Sequence, residues 1–186
     1  PTKPVGPIYT KEEAENLASK RGWTVAVDGK NYRRVVASPE PILIPDITVI
    51  EILLKHNIIV ICAGGGGIPI VRQEDGSSRG IEAVIDKDFG SALLAANIRA
   101  DLFVISTAVE KVALYFNTPD QVFLDQMTVA KAKQYIEEGH FAAGSMLPKI
   151  QAIIKFFDEG GKKALITDPK HISDALEGKT GTWIVP

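Results

Sequence analysis

At 186 residues, 45% hydrophobic and 24% charged, the chain is long and apolar enough to bury one sizeable core. Its formal net charge of -2 gives no basic footprint for nucleic acid, no apolar run approaches a membrane span, and no basic stretch leads into an apolar core as a secretory signal would. The single cysteine, Cys62, excludes an internal disulfide and fits a reducing, cytoplasmic compartment, while His56, His140 and His171 are too dispersed to predict a metal-ligating cluster.

The chain opens on Pro1 within "PTKPVGPIYT", which reads as a piece of something longer. Prolines hold Lys3 in a stiff, extended arm that aims it at a ligand or, more plainly, at water. "YTKEEAENLASKRGW" reads as a helix, with Thr10 and Glu13 at capping-box spacing and Gly22 where a C-cap glycine sits. "TVAVDGKNYRRVVASPEP" alternates apolar and polar residues around Asp28-Gly29, a hairpin ended by prolines.

From Pro45 the rhythm changes. "DITVIEILLKHN" predicts a helix with Asp46 as N-cap, and "IIVICA" a continuous buried strand in which Cys62 is a small apolar residue. Four glycines, Gly64, Gly65, Gly66 and Gly67, follow, and then a second hairpin around Asp75-Gly76. "KDFGSALLAANIRA" reads as a helix and "DLFVIST" as a strand, after which "VISTAVEKVALYFNTPDQ" runs off into a loop. "TVAKAKQYIEEG" is a helix capped by Thr128, and "SMLPKIQAIIKFFDEGG" one capped by Ser145 with Pro148 in its first turn. "KALIT", "HISDALEG" and "TWIV" close the order as strand, short helix and strand. Alternating apolar strands and amphipathic helices predict an α/β fold with a largely parallel sheet between helical layers. The first forty or so residues fall outside that rhythm and form a small appended subdomain.

In open parallel sheets, ligands bind beyond the carboxyl ends of strands. The glycine run after "IIVICA" could offer backbone N–H groups to an anion, although it matches neither standard phosphate-loop pattern and a tight structural turn explains it as well. Lys87, flanked by Asp86 and Asp88, starts a helix where the macrodipole disfavours a cation. A solvated charge cluster is the plain reading of that pattern, but Lys149 repeats it in the first turn of another helix. Two such lysines make sense if a strong anion is expected, and phosphate is the natural candidate. Thr107 and Ala108 permit close backbone approach, and Tyr115 is either a surface for a flat base or a half-buried loop tyrosine.

The phrases "PTKPVGP.YT..EA", "RRVV.SP.P", "VI..GGGGIP", "AVIDKD..SALLA", "EKVAL.F..PDQ", "GHFAAGSM.PK..A...F" and "ALEGKTGT.IV" occur in this order over nearly the whole chain. Together they resemble the carbamate kinases of the amino acid kinase family. The resemblance implies a three-layer αβα sandwich, of which this chain is the C-terminal half, with residues 1–40 as a protruding subdomain and 41–186 as the nucleotide-binding half. A preceding N-terminal half, with a glycine-rich phosphate loop and much of the carbamate pocket, is then expected to be missing, and the isolated chain to be inactive in transfer.

The activity implied is reversible phosphoryl transfer between ATP and carbamate, giving ADP and carbamoyl phosphate, with magnesium. It implies a cytoplasmic homodimer working in arginine fermentation through the arginine deiminase pathway, with small-molecule substrates and neither nucleic-acid nor membrane partners. Lys87 and Lys149 are expected to gather the phosphates, Asp88 to position those lysines, and Lys3 to reach the carbamoyl-phosphate side. Thr107, Ala108, Val109, Tyr115, Ser145 and Met146 are expected to hold the adenosine, and Gly64 to Gly67 to line the cleft. The alternatives are another phosphotransferase of the same family or, for this chain alone, a non-catalytic nucleotide-binding fragment. Three departures from the family pattern stand out: Leu147 where glycine is usual, a shorter "VDGKNYRRVV" phrase, and "STAVE" with one carboxylate fewer.

Overall fold

The computed structural model describes residues 1–186, and the chain divides into two compact units. The first comprises Pro1–Glu40 with Ala63–Lys87, the second Pro41–Cys62 with Asp88–Pro186.

The first unit is built on a three-stranded antiparallel sheet of order β1-β3-β2, with β1 (Lys3–Tyr9), β2 (Val25–Asp28) and β3 (Asn31–Val36). The capping box forms as the sequence predicts and starts α1 (Lys11–Arg21): the Glu13 N–H donates to the Thr10 hydroxyl at 3.3 Å, and the Thr10 N–H donates to the Glu13 carboxylate at 2.8 Å. Gly22 ends the helix at φ +65°. The Asp28-Gly29 hairpin forms too, but the N-terminal arm is not free: it pairs with β3 as an edge strand, where Pro4 and Pro7 cost no ladder bond that a central strand would need. A second hairpin, β4 (Ile70–Arg72) with β5 (Ser78–Gly80), turns at Asp75-Gly76, where the Asp75 carboxylate accepts the Ser77 N–H at 2.9 Å.

The second unit carries a four-stranded sheet of order β6-β10-β11-β9, made of β6 (Phe103–Ser106), β10 (Ala164–Thr167), β11 (Thr182–Val185) and β9 (Gln126–Thr128). The β6–β10 and β9–β11 pairs are parallel and the β10–β11 pair antiparallel, so the sheet is mixed and largely parallel. Its helices are α2 (Ile47–Lys55), α3 (Lys87–Asn97, whose first residue belongs to the other unit), α4 (Val129–Glu137), α5 (Met146–Asp158) and α6 (Ile172–Leu176).

Strand alternation sets the layers. Ala164 and Ile166 join Phe103, Ile105 and Ile184 in one core cluster with Ile150, Ile153 and Phe156 of α5. Leu165 points to the other face, towards α6: a Cβ on Gly181 would lie 2.8 Å from the Leu165 side chain and 3.1 Å from the Ala175 Cβ. Helices therefore cover both faces. Ile150 and Ile153 are fully buried, each burial stabilising by about 1.5–3 kcal/mol.

Several expectations need correction. Residues 58–63 form no strand, and Ile59 and Ile61 are 91% and 98% exposed. An apolar run becomes a strand only when a neighbour takes up its N–H and C=O groups, and the sheet edge β6 pairs only with β10. Cys62 is accordingly exposed. The stretch expected as loop, which ends at Gln121, contains a strand, β7 (Val112–Leu114), paired antiparallel with β8 (Val122–Leu124) just beyond it.

Two caps also differ. Asp46 and Ser145 sit at helix starts without a side-chain capping bond; α5 is instead entered by a turn in which the Ser145 and Leu147 N–H groups both donate to the Ala142 carbonyl, at 3.1 Å. Thr128 does cap α4, accepting the Lys131 N–H at 3.2 Å. No helix is long and apolar enough to cross a membrane.

Candidate functional site

The site of the second unit begins where β6 and β10 end side by side. The Thr107 N–H donates to the Thr167 carbonyl at 2.8 Å, carrying the parallel pairing one residue further before the chain leaves the sheet. That departing loop is tied down at Glu110, which accepts a hydrogen bond from the Thr180 hydroxyl, and at Val112, whose N–H donates at 2.8 Å to the buried Thr182 hydroxyl. Beside it, the turn after β10 closes on Asp168, whose carboxylate accepts the His171 and Lys170 N–H groups, each at 2.9 Å. Desolvation pushes the Asp168 carboxyl upward, but its bonds to His171 and Lys170 prevail and hold it below the usual carboxylate range.

The β7–β8 hairpin then presents Tyr115 at φ +50°, a left-handed conformation held by its carbonyl, which accepts the Thr118 N–H at 3.1 Å and the Thr118 hydroxyl at 2.7 Å. Thr107, Ala108, Val109, Tyr115, Ser145, Met146 and Lys149, distant in sequence, all line one cavity of about 510 Å³. Its wall also includes His140, Phe141 and Lys111, which sequence reasoning did not select. Much of the lining is apolar or small, with Lys149 and Lys111 as cations and Glu138 as a carboxylate, a composition that can take a flat ring with its anionic tail turned towards the lysines.

Lys149 is held, not solvated. Its Nζ lies 2.8 Å from Asp88 Oδ2, with the two side chains only 13% and 10% exposed. Each group has its place for an electrostatic reason. The carboxylate of Asp88 is favourable in the first turn of α3, whereas the ammonium of Lys149 opposes the dipole of α5 and stays buried only with a counter-charge. One carboxylate beside one lysine and a helix N-terminus leaves a field that favours an arriving anion.

The other predicted residues lie in the first unit. Lys87, the exposed first residue of α3, is its last residue. Lys3, on β1, pairs with Asp86 at 2.6 Å, a partner that sequence reasoning missed although it directly precedes Lys87. Of the four glycines, Gly66 has a definite structural reason: at φ +128°, a Cβ there would stand 1.9 Å from the Ile85 carbonyl oxygen. Gly64, Gly65 and Gly67 meet nothing within 4 Å. No three His, Cys, Asp or Glu side chains are grouped so as to hold a metal ion.

The chain is 46% identical over 187 residues to a carbamate kinase-like protein of Escherichia coli (strain K12), and 46% identical over 187 residues to the carbamate kinase of Pyrococcus furiosus. Both alignments cover 100% of this chain and 59% of the relative, so the chain spans about three fifths of the length of the curated relatives it matches. The solved structure of a carbamate kinase from Giardia lamblia bound to AMP-PNP superposes with a TM-score of 0.89 at 41% identity, again covering 100% of this chain and 59% of that one. With the model of the amino acid kinase family matching residues 12–168 as well, the chain belongs to the amino acid kinase family.

Proposed function

We propose that this chain is the nucleotide-binding portion of a carbamate kinase, which interconverts ATP and carbamate with ADP and carbamoyl phosphate. The observation that carries the proposal is the 510 Å³ cavity in which an apolar, aromatic wall meets the buried Lys149. That is the pattern needed to seat an adenosine with its phosphates turned towards the cation. The relative bound to AMP-PNP, an ATP analogue, supports the same occupant.

In this reading Thr107, Ala108, Val109, Tyr115, Ser145 and Met146 hold the adenosine. Lys149 and Lys87 gather the phosphates, and Asp88 orients Lys149 through its 2.8 Å bond. Lys3, steadied by Asp86, serves the carbamoyl-phosphate side, and Gly64, Gly65 and Gly67 line the cleft. Residues 1–40 are read as the protruding subdomain and 41–186 as the nucleotide-binding half, although residues 63–87 of that half fold with the first unit. Phosphoryl transfer needs no covalent intermediate on the protein; positioning and charge neutralisation suffice, and lysines at the phosphates supply both.

The donor set suits magnesium only as a partner of the nucleotide, since no protein cage exists and magnesium is commonly held by phosphate oxygens, water and one or two carboxylates. When bound, it neutralises phosphate charge. The wider reading is a cytoplasmic homodimer acting on small molecules at the ATP-yielding end of arginine fermentation.

Calorimetry with magnesium ADP tests the proposal on the chain itself. Saturable binding is expected, weakened about tenfold or more in Lys149→Met, the loss of one charge-assisted contact of about 1.5–3 kcal/mol. A folded chain that binds no ADP, or a Lys149→Met variant that binds it equally well, overturns the assignment.

A further inference from the structure

Tyr115 is 51% exposed and stands at φ +50°, so its own hairpin does not immobilise the ring. The ring packs against His140. The two ring centroids are 4.5 Å apart with the planes at 86°, an edge-to-face contact. His140 in turn packs edge-to-face on Tyr135 at 5.6 Å, and Tyr135 on Phe141 at 6.5 Å, so a run of four rings leads from the cavity wall into the core cluster that contains Phe141.

His140 is itself firmly fixed. Gly139, at φ +77°, ends α4 and turns the chain back, the His140 N–H donates to the Tyr135 carbonyl at 3.0 Å, and the ring Nε2 lies 3.2 Å from a carboxylate oxygen of Glu138. Its side chain is 9% exposed. A half-exposed ring on a left-handed turn is thus braced by a nearly buried ring on rigid structure, and both line the same cavity.

We propose that His140 is a positioning residue for the nucleotide base: it acts through Tyr115, holding that ring as a flat wall of the cavity, and does not itself bind the phosphates. The inference rests on the nucleotide reading above. It predicts that the two rings act as one unit, so that losing either removes the same binding energy once.

The test is a double-mutant cycle read by ADP affinity in calorimetry, on wild type, His140→Ala, Tyr115→Ala, the double variant and His140→Phe. Each single alanine variant is expected to raise Kd about tenfold, and the double variant also about tenfold rather than a hundredfold. His140→Phe, which keeps a flat ring but loses the bond to Glu138, is expected to bind within about twofold of wild type. A merely structural role would lower thermal stability without this non-additivity.

A double variant weakened a hundredfold, or His140→Ala within twofold of wild type, overturns the role of His140. Should His140→Ala fail to fold, the Phe variant decides: a tenfold loss in folded His140→Phe overturns ring packing as the cause. If wild type binds no ADP, the nucleotide reading falls first and this inference with it.

Discussion

Replacing Asp88 by alanine isolates the electrostatics of the candidate site. At 2.8 Å, and with the effective dielectric of about 20 that suits partly buried pairs, the attraction between Asp88 and Lys149 comes to about 6 kcal/mol. Most of this offsets the desolvation of two side chains that are about nine-tenths covered, so the intact pair contributes little net stability. Removing one partner is another matter, because the Lys149 ammonium stays beside the N-terminus of α5 with its counter-charge gone. The expected loss is about 3 kcal/mol, the low end for a broken buried pair because Lys149 also borders the cavity and can draw in water. For a chain of this size that is a fall in Tm of roughly 6–12 °C.

The chain has one tryptophan in each unit, Trp23 and Trp183, so urea unfolding followed by Trp183 fluorescence in a Trp23→Phe background reports on the second unit. The double variant Asp88→Ala/Lys149→Met is expected to recover most of the loss, since no charge is then left buried alone. Simple additivity of the two substitutions, or an Asp88→Ala variant within about 0.5 kcal/mol of the parent, would refute the reasoning.

Two further tests address the first unit. Gly66→Ala is expected to cost at least about 2 kcal/mol, from strain at φ +128° and a collision with the Ile85 carbonyl, whereas Gly65→Ala stays within about 0.5 kcal/mol; unfolding followed by Trp23 fluorescence separates them. The Thr10 N–H, and after it the Thr10 hydroxyl, hold the Glu13 carboxyl below its ordinary 4.5. A depressed folded value means that the capping box contributes fully above pH 4.5 and is lost as the pH falls through the folded value. Wild type is therefore expected to lose stability relative to Glu13→Gln on acidification below that point, and parallel pH profiles would show that the box contributes nothing.

Local chemistry alone determined much of this protein. The Thr10/Glu13 box, Gly22, the Asp28-Gly29 and Asp75-Gly76 turns and the Thr128 cap are all satisfied within a few residues, and the structure realises each one. The ordered phrases carried the family. The helix-terminal position of Lys149 was legible too, because a cation against a helix dipole is an anomaly visible in sequence.

Other features waited for tertiary structure, because they depend on neighbours far along the chain. The "IIVICA" run has strand-like residues but no strand beside it to accept its backbone, so it forms no strand and leaves Ile59 and Ile61 almost fully exposed. Conversely, residues 112–114, within a stretch that reads as loop, form one strand of a hairpin with 122–124, and Thr182, 70 residues away, receives the Val112 N–H. The Lys3–Asp86 pair, separated by 83 residues, and the seating of Tyr115 on His140 follow no spacing rule. Sequence fixes which groups a segment offers within reach of one turn; only the folded chain decides which distant group answers them, because burial, pairing and charge compensation are properties of neighbours in space.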